Sequence, residues 1–270
     1  MNPAAPVGVL DSGLGGLSLL RVIRAQLPHE ALIYVADSGY APYGDRDTPW
    51  ITARAAQIIQ FLVQQGCKAV VIACNTITAV AVAALRPSFA IPIIAIEPAI
   101  KPAAASSRSG AIAVMATTRT LESASLQRLR DRYSGTTRVL FVACPGLADH
   151  VEAGDLHSPG LLARLNDLLS PALEQGVDTL VLGCTHYPFL FDAIAKVAGP
   201  DIRIIDPSPA VTAEVRRRLS AIGALNPGQR ITPLTLWSSA PLQRAQALVE
   251  RLSDLPIQLR ELPELPAPTA

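Results

Sequence analysis

Two stretches of the sequence share one design: Ala69-Val70-Val71-Ile72-Ala73-Cys74-Asn75-Thr76 and Thr179-Leu180-Val181-Leu182-Gly183-Cys184-Thr185-His186. In each stretch an apolar run leads to a cysteine and then to polar side chains. This pattern predicts a strand that is buried on both faces and ends in a loop. In an open α/β sheet, ligands bind beyond the carboxyl ends of the strands. Cys74 and Cys184 are therefore candidates for paired acid–base or nucleophilic chemistry.

The apolar segments around these two strands alternate with segments of helical spacing. Strands are predicted at 7–10, 32–36, 69–73, 91–96, 111–115, 139–143, 179–183 and 202–205, with helices between most of them. Such alternation favours parallel pairing and right-handed crossovers. We therefore predict an α/β fold of two similar doubly wound domains with mainly parallel sheets, and an active site in the cleft between them.

The two halves of the chain also match by residue type. Residues 34–37 align with 141–144, and residues 97–99 with 206–208. An internal duplication explains this match, and the general likeness of doubly wound domains is the alternative. We expect one domain at 100–209 and another at 1–99 plus 210–270. The C-terminal segment, with a helix, a strand at 234–237 and a helix at 241–252, is too small for a domain and should pack back on the first.

Composition limits the classes of function. Half of the 270 residues are hydrophobic and 17% are charged, as in a globular chain. The formal net charge of +1 gives no electrostatic case for a nucleic-acid or membrane partner. We expect no signal peptide in the first residues and no membrane helix, because no apolar run approaches ~18 residues. A cytoplasmic location with reduced thiols is the resulting expectation.

Two further loops follow predicted strands. Asp11-Ser12-Gly13-Leu14-Gly15-Gly16 precedes the first helix, where glycines allow backbone N–H groups to approach an anion. It lacks the dinucleotide fingerprint, whose third glycine would fall on Ser18, and the Walker lysine. The loop thus favours a bound carboxylate or phosphate. The second loop, Asp37 to Asp45, is rich in turn residues and long enough to reach over a site.

Taken together, these loops resemble the glutamate racemase family of the aspartate/glutamate racemase superfamily. The resemblance spans roughly residues 7–206 and is looser beyond. The two cysteine motifs combined with the Asp-Ser-Gly loop are its most specific part. The matching stretches are Gly8-Val9-Leu10-Asp11-Ser12-Gly13-Leu14-Gly15-Gly16-Leu17, Asp37-Ser38 with Pro42-Tyr43-Gly44, Ala73-Cys74-Asn75-Thr76, and Leu182-Gly183-Cys184-Thr185-His186-Tyr187-Pro188.

The resemblance implies roles by position. Cys74 and Cys184 match the catalytic acid–base pair, with Asp11, His186 and Glu152 as further catalytic candidates. Glu152 lies in the less distinctive stretch Val151-Glu152-Ala153-Gly154. Thr117 and Thr118, after a strand of the second half, are expected to line the cleft. Residues expected to bind substrate are Asp11, Ser12, Pro42, Tyr43, Gly44, Asn75, Thr76, Thr117, Thr185 and His186.

The resemblance further implies a small-molecule substrate, glutamate, and no cofactor or metal. The product, D-glutamate, would supply peptidoglycan synthesis and so cell-wall biogenesis and cell shape. Neither nucleic acid nor membrane is implied as a partner, and a homodimer is allowed. The lysines independently disfavour a Schiff-base cofactor, since Lys68, Lys101 and Lys196 all lie outside the motifs.

Inversion of an amino acid at its α-carbon requires acid–base groups of the kind that these cysteines provide. Inverting an α-carbon needs a base on one face and an acid on the other. A thiol carries one proton and has an ordinary pKa of about 8.5, so a thiolate and a thiol can coexist near neutral pH. A following helix N-terminus should lower the pKa of each thiol, and His186 should do so for Cys184. Asp11 can orient or accept a proton near Cys74.

Three alternatives stay open at this point. A zinc site could use Cys184, His186 and Cys74, although the chain has no C-x-x-C pair. An enzyme of the same architecture could use one cysteine for decarboxylation or isomerisation, which the paired motifs disfavour. A binding protein could retain the fold, but the set Asp11, Cys74, Cys184 and His186 would then lack a purpose.

Overall fold

Two separate parallel sheets form the framework of the protein. The computed structural model describes residues 2–133, 135–232 and 234–266. Every strand pairing among these residues is parallel. Buried apolar strands followed by helices produce this arrangement, because each crossover helix covers one face of a sheet. The predicted α/β fold with two doubly wound halves is confirmed.

The first sheet has six strands and carries Cys74 beyond one of them. Its spatial order is Ile257–Glu261 (β10), Leu234–Ser238 (β9), Leu32–Ala36 (β2), Val7–Asp11 (β1), Ala69–Ile72 (β3) and Ile93–Ala95 (β4). The helices of this part of the chain are Leu17–Gln26 (α1), Thr48–Gln64 (α2), Asn75–Leu85 (α3), Ser208–Ala221 (α10) and Leu242–Leu252 (α11).

The second sheet has four strands and repeats the order of four adjacent strands of the first, β2-β1-β3-β4, so that Thr179–Leu182 (β7) corresponds to β3. That shared order gives both sheets the same arrangement of strand ends, so Cys74 and Cys184 occupy equivalent positions. The strands are Arg138–Ala143 (β6), Ala111–Ala116 (β5), Thr179–Leu182 (β7) and Arg203–Ile205 (β8). The helices are Ile100–Ser106 (α4), Thr118–Glu122 (α5), Ala124–Tyr133 (α6), Leu147–Glu152 (α7), Pro159–Leu173 (α8) and Phe191–Ala198 (α9).

The C-terminal strands extend the first sheet. Leu234 of β9 pairs with Leu32 of β2, and β10 pairs with β9. The division into 1–99 plus 210–270 and 100–209 stays a prediction, and its residues 267–270 lie outside the described part of the chain. Within the described ranges, no helix is both long and apolar enough to cross a membrane.

Several local features differ from the sequence prediction, among them an additional helix, α4. The helix expected near 121–132 is two helices, because the Ser123 hydroxyl donates to Thr120 O (2.7 Å) and accepts from Leu126 N–H (3.3 Å). That side chain therefore ends α5 and caps α6. Neither α7 nor β10 was predicted: α7 is a short helix after Gly146 (φ 78°), and β10 carries an exposed Arg260 and Glu261.

A buried ion pair lies at the amino-terminal end of the first sheet. Lys68 Nζ is 2.5 Å from Glu30 Oε2, and their side chains are 0% and 2% exposed. Glu30 Oε1 also accepts from Asn226 N–H at 2.8 Å, so the pair fixes the chain before β9. The pair therefore holds together segments that are distant in sequence, at the opposite end of the strands from Cys74 and Cys184.

Lys68→Met should lower the free energy of unfolding by about 3–5 kcal/mol, because Glu30 would remain buried without a countercharge. Urea unfolding monitored by circular dichroism measures this loss. Arg217→Gln is the control, since its partner Glu214 is on the surface and such pairs add little to stability. A loss below about 1 kcal/mol for Lys68→Met would show that Glu30 finds another partner or water.

Candidate active site

Cys74 and Cys184 each lie two residues beyond a central strand, Cys74 after β3 and Cys184 after β7. Both are buried, and both line one small cavity of about 50 Å³ between the halves of the chain; we call it the cysteine cavity. Larger clefts, of up to about 570 Å³, contain neither cysteine. The architecture thus brings one thiol from each sheet to a common space.

Most of the predicted site residues line the cysteine cavity. Thr118, which is exposed, is not among the residues that line it. Asp149 and Ala148 were not predicted; they lie on α7, where Asp149 precedes Glu152 by three residues and so shares its face. The predicted residues that line the cavity are Ser12, Pro42, Tyr43, Gly44, Cys74, Asn75, Thr76, Thr117, Glu152, Cys184, Thr185 and His186.

Asp11 was expected to bind substrate, but its carboxylate is fully buried behind the cavity wall and does not line the cavity. One oxygen accepts from Ser12 N–H at 2.7 Å, and the other from the Thr185 hydroxyl at 3.0 Å. Burial raises the pKa of this carboxyl, a shift that the charge of His186 and the hydrogen bond from Thr185 oppose. Asp11 therefore orients two residues of the cavity.

Asp11 is linked to Cys74 through Ser12. The Ser12 hydroxyl donates to Asp11 Oδ1 at 3.3 Å and lies 3.4 Å from Cys74 Sγ. With the hydroxyl proton directed at Asp11, the oxygen of Ser12 is left to accept from the Cys74 thiol. The Ser12 hydroxyl therefore links the Asp11 carboxylate to the Cys74 sulfur.

The pKa of Cys74 is raised, whereas the sequence analysis expected it to be lowered. Burial, with the nearby Asp11 carboxylate, raises it to about 12, although Cys74 directly precedes α3. Desolvation of a thiolate outweighs the helix dipole at this position. In the structure Cys74 is thus a thiol at neutral pH.

The glycine-rich loop binds a carboxylate that belongs to the chain itself. Leu14 N–H donates to Glu152 Oε1 at 2.8 Å, which joins the first half to α7. A Cβ at Gly13 would lie 2.4 Å from the same oxygen, and a Cβ at Gly15 would lie 2.4 Å from His186 Nδ1. These glycines therefore allow Glu152 and His186 to approach the loop.

His186 connects Glu152 to Cys184. Its Nε2 is 2.8 Å from Glu152 Oε1, and its Nδ1 is 3.6 Å from Cys184 Sγ. Burial lowers the pKa of His186, but its contacts with Cys184 and Glu152 outweigh burial and raise it well above the ordinary value. Burial pushes the pKa of Glu152 up, yet the hydrogen bond and charge of His186 bring it below its usual range. The pair is therefore imidazolium and carboxylate, with the cation beside Cys184.

Hydroxyl groups from the two halves meet at the cavity. Thr76 Oγ1, at the start of α3, is 3.2 Å from Thr117 Oγ1 and 3.4 Å from Thr120 Oγ1. Thr120 was not predicted, although it lies one helical turn after Thr117 and that spacing could have identified it. Among residues 2–133, 135–232 and 234–266, no three His, Cys, Asp or Glu side chains are arranged to hold a metal ion.

Two thiols from two sheets, one protonated and one beside a cation, define a site for acid–base chemistry. The profile of the Asp/Glu/Hydantoin racemase family matches residues 11–215. The chain belongs to this family.

Within this family, the individual relatives compared below are glutamate racemases. The glutamate racemase of Pseudomonas aeruginosa is 50% identical over 238 residues, 88% of this chain and 89% of that protein. A Bacillus anthracis glutamate racemase structure has a TM-score of 0.88 at 31% identity, covering 97% of this chain and 98% of that one. The Francisella tularensis glutamate racemase, in complex with D-glutamate, gives a TM-score of 0.84 at 28% identity, covering 96% and 98%. The resemblance to glutamate racemases is confirmed, and the protein is an amino-acid racemase.

Proposed function

We propose that the protein interconverts L- and D-glutamate without a cofactor, using Cys74 and Cys184 as two bases. The observation that carries this proposal is that one cysteine from each sheet lines the same small cavity. A two-base inversion needs groups that approach one carbon from different sides, which thiols from two separate sheets can do. The glutamate racemases among the relatives support glutamate as the substrate.

The resemblance to the glutamate racemase family assigns Cys184 as the base for L-glutamate and Cys74 as the base for D-glutamate. Cys184 lies beside the His186 cation, and Cys74 holds its proton. In the reaction from L-glutamate, the Cα–H bond breaks and the proton passes to Cys184. The Cys74 S–H bond then breaks, and its proton goes to the opposite face of the carbon. The reverse reaction uses Cys74 as base and Cys184 as acid.

The carbanionic intermediate needs hydrogen-bond donors around the substrate carboxylate. The cavity offers the Asn75 amide and the Thr76 hydroxyl as donors, whereas the Ser12 and Thr185 hydroxyls donate to Asp11 in this structure. Both polar atoms of the Asn75 side chain are buried and without a protein partner. Because unpaired buried amides are costly, Asn75 is suited to bind substrate. The cavity-lining residues of the described chain include no lysine or arginine, so neutral donors and His186 would bind the substrate's charges.

Substrate entry requires the two halves to move apart. A cavity of about 50 Å³ has room for only a few water molecules, so the structure corresponds to a closed state. Closure would exclude water and bring both thiols to the substrate. We infer domains at 1–99 plus 210–270 and at 100–209 as the moving units. As the physiological role we propose production of D-glutamate for peptidoglycan in the cytoplasm, as the resemblance to the glutamate racemase family implies.

Product formation from L-glutamate tests the proposal. The purified protein should form D-glutamate and should exchange the α-hydrogen for deuterium in deuterated water, with no added cofactor. L-Aspartate, measured in parallel, tests the choice of substrate. Folded protein that neither forms D-glutamate nor exchanges the α-hydrogen would exclude a racemase acting on glutamate. Decarboxylation products would favour a one-cysteine enzyme, and binding without exchange would favour a binding protein.

Glu152→Gln should change the pH dependence of kcat/KM. Activity requires an ionised Glu152 and a protonated His186, so it is present above the lowered pKa of Glu152 and is lost as pH rises through the raised pKa of His186. Without the carboxylate, the alkaline limb should move down by roughly 1–3 pH units. Asp155→Asn removes a similar partner from His150, outside the cavity, and is the control. Unshifted limbs in Glu152→Gln would mean that Glu152 does not hold the charge of His186.

A further inference from the structure

We propose that Arg54, on α2 and outside the cysteine cavity, is a positioning residue that fixes the cavity wall formed by Pro42, Tyr43 and Gly44. The inference rests on the proposed function, since its effect is read from glutamate turnover. The residue proposed here, the buried Arg54, lies outside all of the sequence motifs. The route from Arg54 to the cavity runs through Asp37 and Tyr43.

Arg54 and Asp37 form a two-point ion pair inside the first half of the chain. Arg54 Nε donates to Asp37 Oδ2 at 2.8 Å, and Nη2 donates to Oδ1 at 2.7 Å. The side chains are 2% and 0% exposed. A planar guanidinium on both carboxylate oxygens fixes the orientation of the carboxylate as well as its place.

Asp37 connects the ion pair to the cavity wall through hydrogen bonds. Its Oδ2 also accepts from the Tyr43 hydroxyl at 2.5 Å, and its backbone N–H donates to Asp11 O at 3.0 Å at the end of the strands. Burial and the Asp37 carboxylate raise the pKa of Tyr43 well above its ordinary value, so the hydroxyl keeps its proton for this bond. Tyr43 is 1% exposed and lines the cysteine cavity. The phenol ring is therefore held from behind by a carboxylate that Arg54 orients.

Arg54 also contacts the middle of the same loop. Its guanidinium carbon lies 4.2 Å from the centre of the Tyr40 ring. The Tyr43 ring meets Trp50, one helical turn before Arg54, edge to face at 5.3 Å. The arginine thus touches the loop at Asp37 and Tyr40 and reaches Tyr43 through Asp37. A buried ion pair often gains little net stability, because desolvation offsets its attraction. Fixing this loop is what the pair adds beyond stability.

Arg54→Lys keeps the positive charge but cannot hold both carboxylate oxygens. A wall that binds substrate before and during the reaction affects KM more than kcat. We expect KM for glutamate to rise about tenfold, the effect of one lost anchoring hydrogen bond, with kcat changed less. Arg24→Lys is the matched control: Arg24 is a buried arginine that binds the Pro28 and Glu30 carbonyls away from the cavity, and its loss should affect stability without changing KM.

A double-mutant cycle with Tyr43→Phe decides whether Arg54 acts through Tyr43. In the Tyr43→Phe background, Arg54→Lys should add little to KM, because the hydroxyl that Asp37 holds is already gone. Independent, multiplying effects on KM, or an unchanged KM in Arg54→Lys, would overturn the proposal. If Arg54→Lys does not fold, Tyr43→Phe alone, with the ion pair intact, must still raise KM; an unchanged KM would also overturn it. Absence of racemisation by the wild-type protein would instead refute the proposed function.

Discussion

Replacing either Cys74 or Cys184 with serine should abolish glutamate racemisation in both directions. Each full reaction needs one base and one acid, and each cysteine serves once in each role. Loss of one general acid–base group typically costs about 10²–10⁴-fold, and a serine hydroxyl is a poor replacement for a thiol in proton transfer. Circular dichroism of the substrate in both directions measures the loss. Cys67→Ser is the control, because Cys67 is a buried cysteine that does not line the cysteine cavity.

Each of these variants should still remove a proton from one enantiomer of a suitable substrate analogue. A glutamate analogue with a leaving group at Cβ requires only proton removal, so one base is sufficient for elimination. Cys74→Ser should still eliminate from the L analogue through Cys184, which lies beside the His186 cation. Cys184→Ser should still eliminate from the D analogue through Cys74. If either variant loses elimination from both analogues equally, the two-base assignment fails and one cysteine is structural or both act as a unit.

The strands and the cysteines could be predicted because their signals are local. An apolar run of four residues that ends at a polar group needs no tertiary contact to be recognised, as at β3 and β7. By contrast, β10 is an exposed edge strand and α7 is only six residues long, so neither carries a periodic pattern. Both are fixed by partners distant in sequence, β10 by β9 and α7 by the Leu14 contact of Glu152.

The burial, contacts and pKa values of the site residues were harder to predict than their identities. Motif position identified Asp11, but only the fold reveals that its carboxylate faces Ser12 and Thr185 and not the cavity. The pKa of Cys74 was expected to fall, since the helix N-terminus is evident from sequence while the extent of burial is not. Arg54 carries no motif at all, because its role depends on an aspartate that lies 17 residues earlier. Long-range electrostatics and burial therefore account for most of the differences.

Gly15→Ala should lower kcat/KM by about 10²-fold, because a small displacement of a catalytic group has effects of this size. A Cβ at Gly15 would lie 2.4 Å from His186 Nδ1 and 2.6 Å from Cε1, so the ring must move. That movement would disturb the contacts of His186 with Cys184 and Glu152 together. Gly15 does not have a positive φ, so alanine adds no backbone strain and the effect is steric.

Two further variants isolate the steric effect at Gly15. Gly160→Ala, on α8, is the matched control, since the nearest atom to its Cβ would be Ser158 Oγ at 3.8 Å. It should leave turnover unchanged and stabilise the helix slightly. In a His186→Ala background the clash is absent, so Gly15→Ala should cost little more, and the two effects should be far from additive. Turnover by Gly15→Ala within about threefold of wild type would show that His186 does not pack against the glycine loop during catalysis.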